Sequence, residues 1–288
     1  MRSLRIVSIL PQDRSLPLHD ALRPLGSGQF GQLDIVDATQ REEAELVRAV
    51  HKAMTAGLTV GLCPLSTRIK AVFFDMDSTV ILEESIVELA RAAGSWETVA
   101  RITERAMAGE LDFETALRER VATLKGLPVS VLSEVSQRLT LAQGIQAFAG
   151  FAREIQLPLF LVSGGFSELA ATVARRVGFD GWFANQLEIK DGLLTGGLEG
   201  PVVDAATKRT FLEATCLRLG IKPEQVCAVG DGANDIPMLK AAGVAVGFAP
   251  KPVLLEVCDG ANFSGDHRFL APLLFGRDVS VRRSSSPS

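Results

Sequence analysis

The 288-residue chain has no tyrosine, two tryptophans, three histidines and four cysteines, and each scarcity removes a class of chemistry. Without tyrosine, acid–base work falls to carboxylates, lysine or the three histidines. His51 belongs to a helical pattern, and His19 and His267 stand alone in polar contexts, so all three read as structural. The cysteines (Cys63, Cys216, Cys227 and Cys258) show no CxxC or other zinc spacing and read as reduced core thiols of a cytoplasmic protein. No apolar run approaches the ~18 residues of a membrane-spanning helix, so no membrane partner is expected. The opening MRSLRIVSILPQDR has too short an apolar stretch, and no small-residue cleavage site, for a signal peptide. A formal charge of −4 gives no electrostatic case for nucleic acid. There is no GxxxxGK[ST] loop. GSGQFG at 26–31 matches GxGxxG but lacks the preceding strand and following helix that a pyrophosphate site needs, and reads as a glycine loop.

What is present is a globular composition, 47% hydrophobic and 22% charged. Residues 1–66 alternate strand-like LRIVSIL, a short helix near residues 17 to 24, LDIVDA, the helical TQREEAELVRAVHKAMTAG and strand-like LTVGLC. They predict a small α+β module. From residue 71 the pattern changes. AVFFD, LPLFLVS and VCAVGD are nearly continuous apolar runs, as parallel strands covered on both faces require, and helical patterns alternate with them. VAVGF adds a further strand, and the Asp-Gly in NQLEIKDGLLTGGLEG marks a hairpin. The expectation is an α/β core with a doubly wound, Rossmann-like parallel sheet over residues 67–83 and 142–276. Four helical segments between 84 and 141 form an inserted cap, and 277–288 are a disordered tail.

In a parallel sheet the C-terminal strand ends share one edge, where ligands bind. The three runs end in DMDST, SGG and GDGAND, which brings Asp75, Asp77, Ser163, Gly164, Asp231, Asn234 and Asp235 to that edge. Each motif alone is more often a solvated turn or a capped helix start; three together are hard to explain so. Carboxylates with no histidine or cysteine among them make an all-oxygen site for a hard divalent ion, Mg²⁺. Ser163 and the Gly164–Gly165 amides, read as the start of a helix, suit an anion. Metal and anion together imply a phosphoryl group, with Asp75 placed to attack phosphorus and Asp77 to donate a proton and then activate water. Lys208, opening a helix against its dipole, is the candidate cation, with a solvated lysine as the alternative.

These motifs resemble the haloacid dehalogenase (HAD) superfamily of phosphotransferases, and specifically its branch acting on phosphoserine. The similarity runs from about residue 70 to 275 through ILEESIVELARAAG, GELDFETALRERVATLKGLP, LVSGGF, FANQLEIKDGLLTG and VGDGANDIPMLKAAG. Residues 1–66 lie outside it and look at best like a shortened ACT-type module, through which a homodimer could form. The resemblance implies Mg²⁺-dependent hydrolysis of O-phospho-L-serine to L-serine and phosphate through an aspartyl-phosphate, the last step of serine biosynthesis. It implies Asp75 as nucleophile and Asp77 as proton donor. Mg²⁺ would be held by Asp75, the Asp77 carbonyl and Asp231, with Asp235 behind them. Ser163, Gly164 and Lys208 would hold phosphate, Asn234 would face the substrate, and Glu84 and Arg120 would grip the serine amine and carboxylate. Arg120 has its own argument: at 100° per residue it lies about 20° from Phe113 on the apolar face of its helix, where a charge needs a partner. The alternatives are an Arg snorkelling at the bundle edge and, for Glu84, a favourable first-turn acid. Rival activities are phosphoryl transfer from phosphoserine to another hydroxyl such as homoserine, and a non-catalytic amino-acid sensor, which the intact Asp75/Asp77 pair argues against.

Overall fold

An apolar run with no polar face needs cover on both sides, and that requirement organises the molecule. A computed structural model describes residues 2–9, 23–28, 31–38 and 40–277. The helix expected near residues 17 to 24 falls outside them up to residue 22, and Arg23 and Pro24 open a strand instead. The tail from residue 278 also lies outside the described residues.

The first segment comprises β1 (Arg2–Ile9), β2 (Arg23–Gly28), β3 (Gly31–Ala38), α1 (Gln40–Thr55) and β4 (Thr59–Pro64). The strand β5 (Ala71–Phe74) leads into four helices, α2 (Ser85–Ala92), α3 (Trp96–Met107), α4 (Phe113–Ala122) and α5 (Ser130–Arg138). Next come α6 (Ile145–Glu154), β6 (Leu159–Phe166), α7 (Ser167–Val177) and the hairpin β7 (Gly181–Lys190) and β8 (Leu193–Glu199). The chain continues through α8 (Ala205–Leu219), β9 (Val226–Gly230), α9 (Ile236–Ala241), β10 (Val244–Phe248), β11 (Gly260–Asn262) and α10 (Leu270–Phe275).

The strands form one sheet in the order β2-β3-β1-β4-β11-β10-β9-β5-β6-β7-β8. From β11 to β7 every neighbouring pair is parallel. This is an α/β fold in a mixed sheet. Successive residues of β5 face opposite ways. Phe73 packs with Phe160 and Phe211 beneath α8 and α9, whereas Phe74 packs with Phe148 and Phe179 on the side of α6 and α7. Both faces of the central strand are thus covered, as its unbroken apolar sequence demands. Asp191 and Gly192, both at positive φ (51° and 75°), turn β7 into β8. Gly28 pairs with Gly31 in the antiparallel hairpin of β2 and β3, so no helix follows the GxGxxG match. Cys63, Cys216 and Cys227 are buried thiols and Cys258 is half-buried, none in a disulfide. Among the described residues no helix is long and apolar enough to cross a membrane.

The sheet of the first segment is continuous with the core sheet. β4 pairs antiparallel with β11, with Gly61 opposite Gly260. A Cβ on Gly260 would lie 2.8 Å from the Cα of Gly61, and one on Gly61 would lie 2.9 Å from the Leu273 methyls, so this seam closes only because neither residue has a side chain. Gly260→Val should therefore cost about 1–3 kcal/mol through overpacking, read as a lower urea midpoint than that of the unaltered chain.

Candidate active site

Asp75 follows directly on β5, and its surroundings are built by the tight turn after it. The Met76 carbonyl accepts N–H groups from Thr79, Val80 and Ile81 (3.2, 2.8 and 3.0 Å), and Ser78 takes a left-handed φ of 55°. This curls the chain back so that α2 begins beside the acids. The Ser85 hydroxyl donates to Asp77 Oδ2 and the Ser78 hydroxyl donates to Glu84 Oε1, both at 2.8 Å. His267, expected to stand alone in a polar context, is instead fully buried, stacked on Phe248, with Nε2 2.8 Å from the Thr79 carbonyl. Burial lowers its pKa to about 4, so the ring is neutral and donates to that carbonyl, bracing the turn. Nothing in the local sequence signalled this, because its partners come from β10 and the turn after β5.

Beneath the cavity lies a buried ion cluster. Lys208 Nζ is 2.7 Å from Asp75 Oδ1 and 2.8 Å from Asp235 Oδ1, with Lys208 and Asp235 almost wholly shielded from solvent. The helix carrying Lys208 opens earlier than its sequence suggested, at Ala205, where Asp204 caps it by accepting the Thr207 N–H. Burial alone would disfavour the ammonium, but Asp235 and Asp75 hold it protonated well above the ordinary lysine range. Asp235 Oδ2 accepts the N–H groups of Asp231 and Gly232 (3.1 and 3.2 Å). Asp75 Oδ1 also accepts the Met76 N–H at 2.8 Å.

Ser163 and Gly164 fall elsewhere than the reading of a helix start implied. β6 runs on to Phe166 and α7 begins at Ser167, so both residues lie on the strand end. The buried Ser163 hydroxyl accepts the Gly165 N–H at 2.8 Å. A Cβ at Gly165 would meet the Ser85 hydroxyl at 2.6 Å, so the close approach of β6 to α2 requires glycine there. Asn185, a residue sequence reasoning passed over, ties this segment down: its amide donates to the Gly164 carbonyl and accepts the Val203 N–H, both at 2.8 Å. Its signal was a polar residue at a buried strand position.

The three strand ends, α2 and α4 enclose a cavity of about 100 Å³. Asp75, Asp77, Glu84, Arg120, Gly164, Asp231 and Asn234 line it; Ser163, Lys208 and Asp235 lie behind its wall and reach it through their partners. Arg120 enters from α4 on the face that carries Phe113 and Leu117, with its Nε donating to the Ala116 carbonyl at 3.1 Å. Partial burial pulls its pKa down, while Glu84 and Asp77 pull it back up. A second unforeseen residue, Lys251, lines the same cavity and pairs with Asp231 at 2.8 Å.

The electrostatics separate the two aspartates. Asp77 is pushed up to about 7 by burial and by Glu84, against the pull of the Ser85 hydroxyl. It is therefore both acid and base near neutral pH, and its Oδ1 is buried with no partner among the described residues. Asp75 is raised well above the usual carboxylate range by burial and by Asp235, with Lys208 opposing. More positive charge is needed to make it an effective anion. Asp75, Asp231 and Asp235 each offer an oxygen within 4.8 Å of the others. Around the cavity, five carboxylates face three cations, Lys208, Arg120 and Lys251. An all-oxygen donor set with an excess of negative charge fits a hard divalent cation.

A sequence model of the haloacid dehalogenase-like hydrolases matches residues 69–243, and the chain belongs to that family. Its place within the family is among the phosphoserine phosphatases. The phosphoserine phosphatase of Archaeoglobus fulgidus is 42% identical over 231 residues, which span 79% of this chain and 67% of the relative. Two solved phosphoserine phosphatase structures, one substrate-bound and one an analogue of the phospho-aspartyl intermediate, are each 40% identical. Each has a TM-score of 0.65 and covers 70% of this chain and 96% of its own. A HAD family hydrolase of Salmonella enterica serovar Typhi is 26% identical but covers 95% of this chain and 97% of its own, with a TM-score of 0.81.

The assignment of Asp77 can be checked directly. In the metal-free protein its carboxyl should titrate near pH 7 by carbon-13 NMR. Ser85→Ala should move the midpoint upward, because the hydroxyl donates to the anionic form. A midpoint near 4 in the unaltered chain would show that the acid is not desolvated.

Proposed function

We propose that this chain hydrolyses O-phospho-L-serine to L-serine and phosphate with Mg²⁺, through an aspartyl-phosphate on Asp75, the last step of serine biosynthesis. The observation that carries the proposal is the meeting, in one small cavity, of two aspartates of different character with an acid and a guanidinium from the cap. The relatives named above support it.

The Asp75 carboxylate, the Asp77 main-chain carbonyl and Asp231 would hold the metal, with Asp235 fixing the Asp231 backbone through its N–H. The bound ion supplies charge neutralisation to the phosphoryl oxygens and keeps Asp75 ionised. An Asp75 oxygen attacks phosphorus as the bond from phosphorus to the serine oxygen breaks. Asp77 in its acid form gives its proton to that oxygen, so serine leaves as the neutral alcohol. The resulting Asp77 carboxylate then takes a proton from a water that attacks the aspartyl-phosphate, which regenerates both aspartates and releases phosphate. A positioned acid–base group contributes about 10²–10⁴ in rate, so most of the acceleration rests on charge stabilisation at phosphorus. Lys208, already touching Asp75, would take a phosphoryl oxygen, as would the Ser163 hydroxyl and the Gly164 amide. Arg120 would take the substrate carboxylate and Glu84 its ammonium.

Phosphate release from a panel of small phosphomonoesters, with Mg²⁺ and with EDTA, tests the reading. Phosphoserine should lead the panel, EDTA should abolish turnover, and acid quench should leave phosphate on the peptide containing Asp75. Asp75→Asn should reduce release to background; full turnover by that variant would overturn the mechanism. Strict dependence on an added acceptor alcohol would convert the hydrolase into a transferase.

Arg120 has a separate test. Arg120→Ala should raise KM for phosphoserine roughly 10- to 100-fold, the worth of a charged hydrogen bond. It should leave KM for phosphoethanolamine, which has no carboxylate, unchanged. Equal effects on both substrates would remove Arg120 from carboxylate recognition.

A further inference from the structure

The three carboxylates of the proposed metal cluster are not held equally. Asp75 is fixed by the Met76 N–H and by Lys208, and Asp235 by two backbone N–H groups and by Lys208. Among the described residues the Asp231 side chain has one polar partner, Lys251, whose Nζ lies 2.8 Å from Oδ2. That contact is built from the backbone up. β10 ends at Phe248, and Ala249 takes a left-handed φ of 40°, a conformation that costs a residue with a side chain. It is held there by its N–H donating to the Asn262 carbonyl at 2.9 Å. Pro250 closes against Gly247, where a Cβ would come within 2.7 Å of the ring. The Lys251 N–H then donates to the Asp231 carbonyl at 2.8 Å, so the same residue grips Asp231 through main chain and side chain.

We propose that Lys251 is a positioning residue for the metal ligand Asp231: by holding Oδ2 it fixes the direction of a carboxylate that offers an oxygen within 4.8 Å of those of Asp75 and Asp235. The proposal rests on the reading of this cluster as a metal site. Its side chain is 62% exposed, so the ion pair adds little to the stability of the fold. Its effect is on the direction of one carboxylate. A partner that orients a ligating side chain is commonly worth 10- to 100-fold in metal affinity.

The sign of the effect separates this role from the others open to a cation at that place. A lysine that competed with the metal for Asp231, or merely repelled it, would weaken binding, and its removal would tighten it. A lysine that oriented the carboxylate would strengthen binding, and its removal would loosen it. A lysine that held the substrate phosphate would leave metal binding alone and change KM.

The experiment is calorimetric titration of the full chain with Mg²⁺ in the absence of substrate, on the unaltered protein, Lys251→Met and Lys251→Arg. Lys251→Met should bind Mg²⁺ 10- to 100-fold more weakly with an unchanged melting temperature, and Lys251→Arg should recover most of the loss. At saturating Mg²⁺, kcat of Lys251→Met should return and KM for phosphoserine should match the unaltered chain. Mg²⁺ binding as tight as in the parent, or tighter, overturns the proposal. So does a raised KM at saturating metal with unchanged Mg²⁺ affinity. If the unaltered chain itself binds no Mg²⁺, the metal reading falls and takes this proposal with it. If the parent binds and the variant binds equally, only the role of Lys251 falls.

Discussion

One buried cation organises this site. Lys208 lies between Asp75 and Asp235 with almost no solvent contact, and no hydrophobic arrangement could take its place without leaving two acids stranded. A buried ion pair of this kind adds little to stability compared with a well-packed apolar core. Here it distinguishes Asp75 from Asp77 by the cation at its side. It brings together the end of β5, the loop after β9 and the first turn of α8, three elements distant in sequence. It also leaves Asp75 short of positive charge, because burial and Asp235 outweigh one ammonium. The deficit is the physical ground for a divalent ion at this place.

Around that centre the acids differ by environment rather than by kind. Asp75 is backed by Lys208, while Asp77, two residues on, faces Glu84 and the Ser85 hydroxyl. The first is held above the usual carboxylate range by burial and Asp235, against the pull of Lys208. The second sits near neutrality and can give and take a proton. The turn through Ser78, braced from behind by the neutral ring of His267, keeps the two side chains in these separate surroundings. Residues far from the chemistry thus act on it by fixing which neighbours each carboxylate has.

The strands and their shared edge were readable in the sequence, because continuous apolar runs such as VFF and VCAV report two-sided burial directly. VAVGF and the Asp-Gly hairpin were equally plain. The ends of elements were less so. SGG was read as a helix start but belongs to β6, since the extended backbone runs on to Phe166. Lys208 was read as the first residue of its helix, but the helix begins three residues earlier, at Ala205, capped by Asp204. His267 and Lys251 carried no local signal of their parts, because each acts on a partner from another strand or loop.

The sequence by itself determined the α/β class, the edge where DMDST, SGG and GDGAND meet, and the all-oxygen chemistry of that edge. Periodicity and residue type are local properties, and a parallel sheet converts them into a common location. Only the tertiary structure decided which carboxylate neighbours which cation, that Asp77 is raised to about 7, and that the first four strands join the core sheet through Gly61 and Gly260. Those are matters of burial and of distances of a few ångströms between residues far apart in the chain. Electrostatic energies in a desolvated pocket depend on just these quantities.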